Sequence, residues 1–130
     1  MNTMCQSPAK IQSFLDLRAW QEAHKLVLLV YTATKVFPKE EIFCLVSQLR
    51  RAVISITSNI AEGFSRQFPK EKIQFCYQAL SSLTEVQNQI IASRDIGYLT
   101  DESYSKIFDQ TTIVSKILNG LIKKVREDLN

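Results

Sequence analysis

The sequence has few of the residues that interrupt helices. Only three glycines and three prolines occur in 130 residues, and Pro38, Gly63 and Pro69 lie where helical patterns break. A sandwich or barrel of short strands needs turn residues about every 8 to 12 positions. The scarcity of such residues argues against that class of fold, and the long stretches between them favour helices.

Cysteine and histidine are also scarce. The three cysteines, Cys5, Cys44 and Cys76, are odd in number and lack CxxC spacing, so we expect a reducing, cytoplasmic compartment. The single histidine, His24, follows Glu22 in a Glu-x-His pattern. The two side chains of this pattern diverge on a helix and cannot share a metal. We therefore expect no metal site and a surface or boundary position for His24.

Other signals of membrane insertion or catalysis are missing. No apolar run approaches the roughly 18 to 20 residues of a membrane span, and the first ten residues lack the apolar centre of a signal peptide. There is no glycine-rich phosphate loop, no Ser-His-Asp set and no pair of inward carboxylates. We expect a soluble protein that is not an enzyme, needs no cofactor and has no membrane partner.

The composition predicts one globular domain. Hydrophobic residues make up 45% and charged residues 22% of the chain, unlike a disordered protein. A length of 130 residues matches the usual domain size of about 100 to 200 residues. We predict a flexible N-terminal lead over residues 1–13 and a four-helix bundle domain over residues 14–130.

Four amphipathic helices are predicted from apolar residues at spacings of three and four. Pro38 ends the first helix by Phe37, because the residue before a proline is disfavoured in the α region. Capping residues predict the other boundaries: Asp16 as the first N-cap, Pro38 as the start of the second helix, Gly63 as its left-handed end, Pro69 as the start of the third, Gly97 as its end, and Thr100 as the last N-cap. Short connections make neighbouring helices antiparallel. The predicted fold is therefore all-α, an up-down-up-down antiparallel four-helix bundle.

The second helix has more apolar surface than a bundle needs. Beyond its core stripe, Ile54, Ser58 and Ala61 form a second face, which predicts an oligomer interface. The alternative is that this helix is simply the most buried one of the monomer.

Basic residues concentrate in the first half of the chain. Residues 1–74 hold ten basic and six acidic residues. Arg66, Lys70 and Lys72 cluster at a predicted loop near Phe64 and Phe68, a composition that suits nucleic-acid binding. The alternative is a solvated loop.

Arg50 and Arg51 are further candidates for phosphate contacts. Their side chains point about 100° apart on a helix, so at most one faces the edge of the core. A planar guanidinium suits phosphate oxygens. The alternative is an ion pair with Glu85 across the bundle or with Glu62 of a neighbouring subunit.

Several motifs together resemble a known family. They are Trp20, Phe37-Pro38, Gln48-Leu49-Arg50-Arg51-Ala52, Ser55-Ile56, Asn59-Ile60-Ala61-Glu62-Gly63, Arg66, Glu71, Phe75, Ser81 or Ser82, and Glu85. Over about residues 14–126 the chain resembles the four-helix bundle proteins encoded by intervening sequences of bacterial 23S rRNA genes. Related bundles include the accessory protein of diversity-generating retroelements, which binds nucleic acid and a reverse transcriptase.

The resemblance implies a homopentamer arranged as a ring of bundles, and it does not imply an enzyme. Two functions follow as hypotheses. The first is a nucleic-acid-binding or reverse-transcriptase-accessory role, with RNA, DNA or a protein such as a reverse transcriptase as partner. The second is a protein-interaction scaffold with no intrinsic nucleic-acid binding.

Overall fold

The structure is a computed structural model that describes residues 10–129. Its main elements are four α-helices: α1 (Arg18–Thr34), α2 (Ser47–Ser65), α3 (Pro69–Ile96) and α4 (Asp101–Glu127). No strand occurs within residues 10–129. The prediction of an all-α four-helix bundle is confirmed. Of the predicted flexible lead, residues 1–9 lie outside the described residues.

The start of α1 differs from the prediction. Asp16 belongs to a short 3-10 turn, Phe14–Asp16, and its carboxylate accepts hydrogen bonds from the backbone N–H groups of Gln12 and Ser13 at 2.9 and 3.2 Å. The Ser13 hydroxyl caps the same turn. This reciprocal capping box occupies Asp16 one turn early. The prediction of Asp16 as the α1 N-cap is therefore wrong; Leu17 holds that position without a side-chain cap.

The connection between α1 and α2 is also more irregular than predicted. Pro38 has an extended backbone and precedes a 3-10 turn, Lys39–Glu41, which leads into a π-helical segment, Ile42–Val46. The α2 helix therefore starts at Ser47 rather than at Pro38. The wider π turn leaves the side chain of Phe43 92% exposed.

Gly63 does not end α2. The helix continues to Ser65, and Gly63 is buried within it. A Cβ atom at Gly63 would lie 2.9 Å from the Cβ of Phe75, so glycine permits close packing of α2 on α3. The left-handed residue that ends a helix is instead Gly97, with φ 103°, after α3. This boundary and the N-cap of α4 by Thr100, whose hydroxyl accepts from the Ser103 N–H at 3.1 Å, confirm the predictions.

Each helix packs against two neighbours, in the cyclic order α1, α2, α3, α4. Hydrogen bonds join Gln48 to Gln89 and Ser55 to Ser82, so residue numbers rise along α2 as they fall along α3. These two helices are antiparallel, as an up-down bundle requires; the complete up-down-up-down order stays a prediction. The largest fully buried side chains come from all four helices: Leu26, Leu49, Ile56, Leu83, Ile90 and Leu118. Within residues 10–129, none of the helices is sufficiently long and apolar to span a membrane.

Candidate nucleic-acid interface

Arg66 and Lys70 are accessible side chains at the α2–α3 connection. Arg66 is the C-cap of α2, and its guanidinium carbon lies 4.9 Å from the ring centroid of Phe75. Lys70 is exposed in the first turn of α3. The ring of Phe75 supports the guanidinium through a cation–π contact while leaving the side chain exposed. Both residues can contact an anionic partner.

Lys72 has a different role. Its ammonium group donates to the carbonyl oxygen of Phe64 at 3.0 Å and lies 3.5 Å from that of Gly63. The same nitrogen lies 5.6 Å from the centroid of the Phe64 ring. A cation at the C-terminus of a helix complements its dipole and satisfies carbonyls that lack intrahelical partners. The half-buried Lys72 therefore caps α2 from α3, and its donors are directed at the protein.

The end of α4 lies beside the α2–α3 connection. Arg126 donates a hydrogen bond to the hydroxyl of Tyr77, and its guanidinium carbon lies 5.6 Å from that ring. Val125 lines a small cavity of about 70 Å³ together with Phe64 and Lys72. The fold thus adds basic residues of α4 to the predicted cluster. We call the combined surface the basic end, defined as Arg66, Lys70, Lys72, Lys123, Lys124 and Arg126.

The two ends of the bundle differ in charge. At the basic end, residues 62–72 and 121–129 hold six basic and four acidic residues. At the opposite end, residues 35–41 and 94–102 hold three basic and five acidic residues. The hydroxyl of Tyr98 donates to the Glu41 carboxylate at 3.0 Å, which joins these last two stretches. Sequence reasoning missed the contribution of α4, although the alternating helix directions could have indicated it.

Arg50 is half-buried and contacts α1. Its Nε donates to the hydroxyl of Thr34 at 3.0 Å, and its guanidinium carbon lies 4.6 Å from the ring centroid of Tyr31. Both partners belong to α1. The hydroxyl of Thr34 itself donates to the carbonyl of Val30 at 2.8 Å, so the network ties α2 to the last turn of α1. Arg50 is therefore a half-buried side chain that packs against α1, and its role as a phosphate contact stays a prediction.

Arg51 is exposed and lines a groove between α2 and α3 that also contains Glu85. The ion pairs among residues 10–129 are Lys25 with Glu22 and Arg94 with Asp95. Neither Arg50 nor Arg51 is paired with Glu85, which was the alternative predicted within one chain. Of the two adjacent arginines, Arg51 is exposed, whereas Arg50 is half-buried and contacts α1.

The predicted interface residues lie on one stripe of α2. Ile54 is 41% exposed, Ser58 is exposed and Ala61 is half-buried. Their spacing of four and three places them on the same helix face. Their role in an oligomer interface stays a prediction.

The histidine, the cysteines and the acidic residues do not form a metal site in the part of the chain that the structure describes. No group of three or more His, Cys, Asp or Glu side chains within residues 10–129 could hold a metal ion. His24 is exposed and its ring stacks on Trp20, with the centroids 4.8 Å apart. Cys44 is an exposed free thiol, whereas burial raises the pKa of the free thiol of Cys76. Cys5 lies outside the described residues.

Comparison with known proteins identifies the family. A solved structure from Bacteroides thetaiotaomicron, described as a protein of unknown function from the S23 ribosomal protein family, is similar with a TM-score of 0.74 at 23% identity. The similarity covers 81% of this chain and 95% of that one, and it shows a shared fold. No curated protein matches this chain. The sequence model of the 23S rRNA-intervening sequence protein family matches residues 15–120, and the chain belongs to that family.

Proposed function

We propose that this chain is a non-enzymatic, oligomeric nucleic-acid-binding accessory protein whose basic end contacts the phosphate backbone. The observation that carries the proposal is the basic end itself, where cations from α2, α3 and α4 meet. The opposite end has a surplus of acids, so the charge is polarised along the bundle. The family description, which refers to intervening sequences of 23S rRNA, is consistent with a nucleic-acid context.

One copy of the chain offers few contacts. Lys72 caps α2 and Arg126 contacts Tyr77, which leaves Arg66, Lys70 and the exposed pair Lys123 and Lys124 as the freer cations. Each phosphate neutralised on duplex DNA adds about −0.9 to the slope of log K against log salt. A monomer would therefore bind weakly. Several copies arranged around a symmetry axis would multiply these contacts through avidity.

Self-association through α2 is the second part of the proposal. The stripe of Ile54, Ser58 and Ala61 supplies an exposed face with an aliphatic side chain at one end. The resemblance to the family implies five copies. Light scattering at micromolar concentration should return several times the chain mass of 14.9 kDa.

The interface can be tested with matched substitutions. Ile54→Lys should dissociate the oligomer, because it places a charge in an apolar contact. Ile113→Lys on α4 is the control, since Ile113 is 39% exposed, close to the 41% of Ile54. A parent of monomeric mass would contradict self-association. An intact Ile54→Lys oligomer would exclude this face.

Nucleic-acid binding is tested by anisotropy with labelled RNA and DNA at about 50 and 200 mM salt. The parent should bind with a strong salt dependence, because the basic end contacts phosphates. Replacing Arg66 and Lys70 together by Gln should weaken binding and flatten the salt slope without loss of helicity. The control replaces Lys35 and Lys39, exposed at the opposite end, in the same way. Equal losses in the two variants would contradict a specific role for the basic end.

A protein-interaction scaffold is the second candidate function. It is favoured by the exposure of large apolar side chains at the α1–α2 corner, where Phe43 is 92% and Val36 is 80% exposed. Such exposure is typical of a contact surface. If the parent binds neither RNA nor DNA at the lower salt, the scaffold replaces the first proposal.

A further inference from the structure

A polar groove of about 440 Å³ lies between α2 and α3. Its size falls within the range of ligand pockets, about 300 to 1,000 Å³. It is lined by Phe43, Ser47, Gln48, Arg51, Ala52, Ser55, Ser82 and Glu85. None of these residues belongs to the basic end, so the groove is a separate surface.

The two walls of the groove carry complementary hydrogen-bonding groups. The hydroxyls of Ser55 and Ser82 are 2.9 Å apart and fix the antiparallel register of α2 and α3. Arg51 lies one turn before Ser55, and Glu85 lies one turn after Ser82, so the register places them across from each other. They form no ion pair in the part of the chain that the structure describes. A guanidinium donor and a carboxylate acceptor therefore line one groove without being paired to each other.

The buried side-chain amide of Gln89 contacts two of the residues that line the groove. Gln89 is 7% exposed, and its Nε2 lies 3.4 Å from Oε1 of Gln48 and 3.3 Å from Oε1 of Glu85. These contacts hold two lining side chains in place. The Oε1 atom of Gln89 is buried without a hydrogen-bond partner within residues 10–129. A buried polar atom without a partner is costly, and it marks the network beside the groove as incomplete.

An aromatic ring lies at one end of the groove. Phe43 lines it while remaining 92% exposed, because the π-helical segment directs this side chain outward. Single-stranded bases stack on such rings. Proteins frequently place π-helical turns at functional sites.

These features together match guanine best, because cytosine offers a carboxylate only one amino group and has a single ring for stacking. Guanine presents two adjacent acceptors, O6 and N7, which accept both donors of an arginine fork. Its N1–H and N2–H groups are adjacent donors for a carboxylate, and its two fused rings offer a wide stacking face. Adenine replaces the O6 acceptor by an amino donor, which the guanidinium cannot contact.

We propose that the groove binds an unpaired guanine base of a single-stranded nucleic acid. The Arg51 guanidinium donates to O6 and N7, the Glu85 carboxylate accepts from N1–H and N2–H, and Phe43 stacks on the base. This assignment rests on the proposed nucleic-acid function. It adds a base-selective contact to the phosphate contacts of the basic end.

The test compares short oligothymidines that differ only at one central base. The full-length protein is titrated by anisotropy at about 200 mM salt, where phosphate contacts are weakened. Guanine at the central position should bind about tenfold more tightly than thymine, adenine or cytosine, the expected contribution of a good bidentate contact. Replacing guanine by 7-deazaguanine, which lacks the N7 acceptor, or by hypoxanthine, which lacks the N2 donors, should lose much of this gain.

Variants then assign the contacts. Arg51→Ala and Glu85→Ala should each abolish the preference for guanine while leaving the salt slope unchanged. The controls, Arg18→Ala and Glu102→Ala, remove the same exposed residue types outside the groove and should keep the preference. Circular dichroism confirms that each variant retains its helices.

The outcomes separate the two proposals. Salt-dependent binding that is equal for all bases overturns the guanine site and leaves the proposed function intact. If the parent binds no oligonucleotide of any composition, the accessory function and the guanine site both fail, even if free guanosine monophosphate shifts the NMR signals of Arg51 and Glu85. If Arg51→Ala alters the oligomer mass and no base preference exists, the groove is a contact between copies and the inference is wrong.

Discussion

Gly63 of α2 lies directly against Phe75 of α3, where a Cβ atom on the glycine would approach the Phe75 Cβ to 2.9 Å. The Cβ of Phe75 is tied to the backbone, so it cannot move aside as the end of a flexible side chain can. The two helix backbones would have to separate to admit a methyl group. This contact explains why α2 has a glycine at position 63, although the residue lies within the helix and does not end it.

We predict that Gly63→Ala destabilises the protein. Alanine improves helix propensity by about 1 kcal/mol, but overpacking of a close contact typically costs about 1 to 3 kcal/mol. The net effect should be a loss of unfolding free energy, measured by urea denaturation monitored by circular dichroism.

Gly120→Ala is the matched control for this prediction. Gly120 lies in α4, is exposed, and has no heavy atom within 4 Å of an added Cβ other than its own helix. The substitution should stabilise the protein by about 0.5 to 1 kcal/mol through helix propensity alone. A stabilising effect at both glycines would contradict the packing role of Gly63.

The sequence correctly predicted the helix ends that are determined by a single residue's own backbone or side chain. Gly97 and Thr100 act through their own backbone and side chain, so their roles could be identified from sequence. Asp16, Pro38 and Gly63 were assigned incorrectly for a different reason. An alternative capping box, a π-helical turn and a neighbouring helix determined their roles, and periodicity carries none of that information.

In the candidate site, too, the sequence predicted what neighbouring residues determine and missed what depends on distant ones. The cluster at Arg66 and Lys70 was visible because its members are close in sequence. The capping role of Lys72 and the contribution of Arg126 depend on contacts between residues that are distant in sequence. Arg50 and Arg51 could not be distinguished because adjacent arginines have the same chemistry and differ only in the helix face that each occupies.

Lys72 should contribute to the stability of the folded protein, whereas the nearby Lys70 should not. Lys72→Met removes the ammonium that caps the carbonyls of Gly63 and Phe64. Helix-dipole and charged hydrogen-bond contributions indicate a loss of about 1 kcal/mol in unfolding free energy. Lys70→Met, at an exposed position, should change it by less than about 0.5 kcal/mol. Equal stabilities of the two variants in urea would exclude the capping role of Lys72.

The adjacent arginines should also differ. Arg50→Ala removes the bond to Thr34 and the contact with the Tyr31 ring, and we expect a loss of about 1 to 3 kcal/mol. Arg51→Ala should stay within about 0.5 kcal/mol of the parent because the side chain is exposed. Thermal denaturation of both variants measures the difference, and a more destabilising Arg51→Ala would reverse the assignment.

The two described cysteines should react with thiol reagents at different rates. Cys44 is exposed, whereas Cys76 is buried and its pKa is raised by desolvation. The thiolate is the reactive form, so Cys76 should be labelled only slowly while the protein is folded. Mass spectrometry of Cys5→Ser protein after brief labelling should find the label on Cys44. Rapid labelling of Cys76 without denaturant would show that the bundle opens near the basic end, where Cys76 lies beside Phe64 and Lys72.

Tyr98 should make stability depend on pH in the alkaline range. Its hydroxyl donates to the Glu41 carboxylate at 3.0 Å, and this hydrogen bond is the main cause that raises the pKa of Tyr98 above its ordinary value of 10.0. Since the folded state holds the proton more tightly than the unfolded state, the contact contributes its full stability below pH 10. That contribution is lost as the pH rises through the folded pKa.

Ultraviolet difference titration of the parent against Tyr98→Phe isolates the phenol of Tyr98 and should show ionisation above pH 10. Glu41→Gln removes the negative charge beside the phenol, so the pKa of Tyr98 should fall relative to the parent. Melting temperatures of the parent should accordingly drop more steeply above pH 10 than those of Tyr98→Phe. The hydrogen bond between Tyr98 and Glu41 would be absent in solution if the melting temperatures of the parent and Tyr98→Phe fell equally across that range. An unchanged tyrosine titration in Glu41→Gln would have the same meaning.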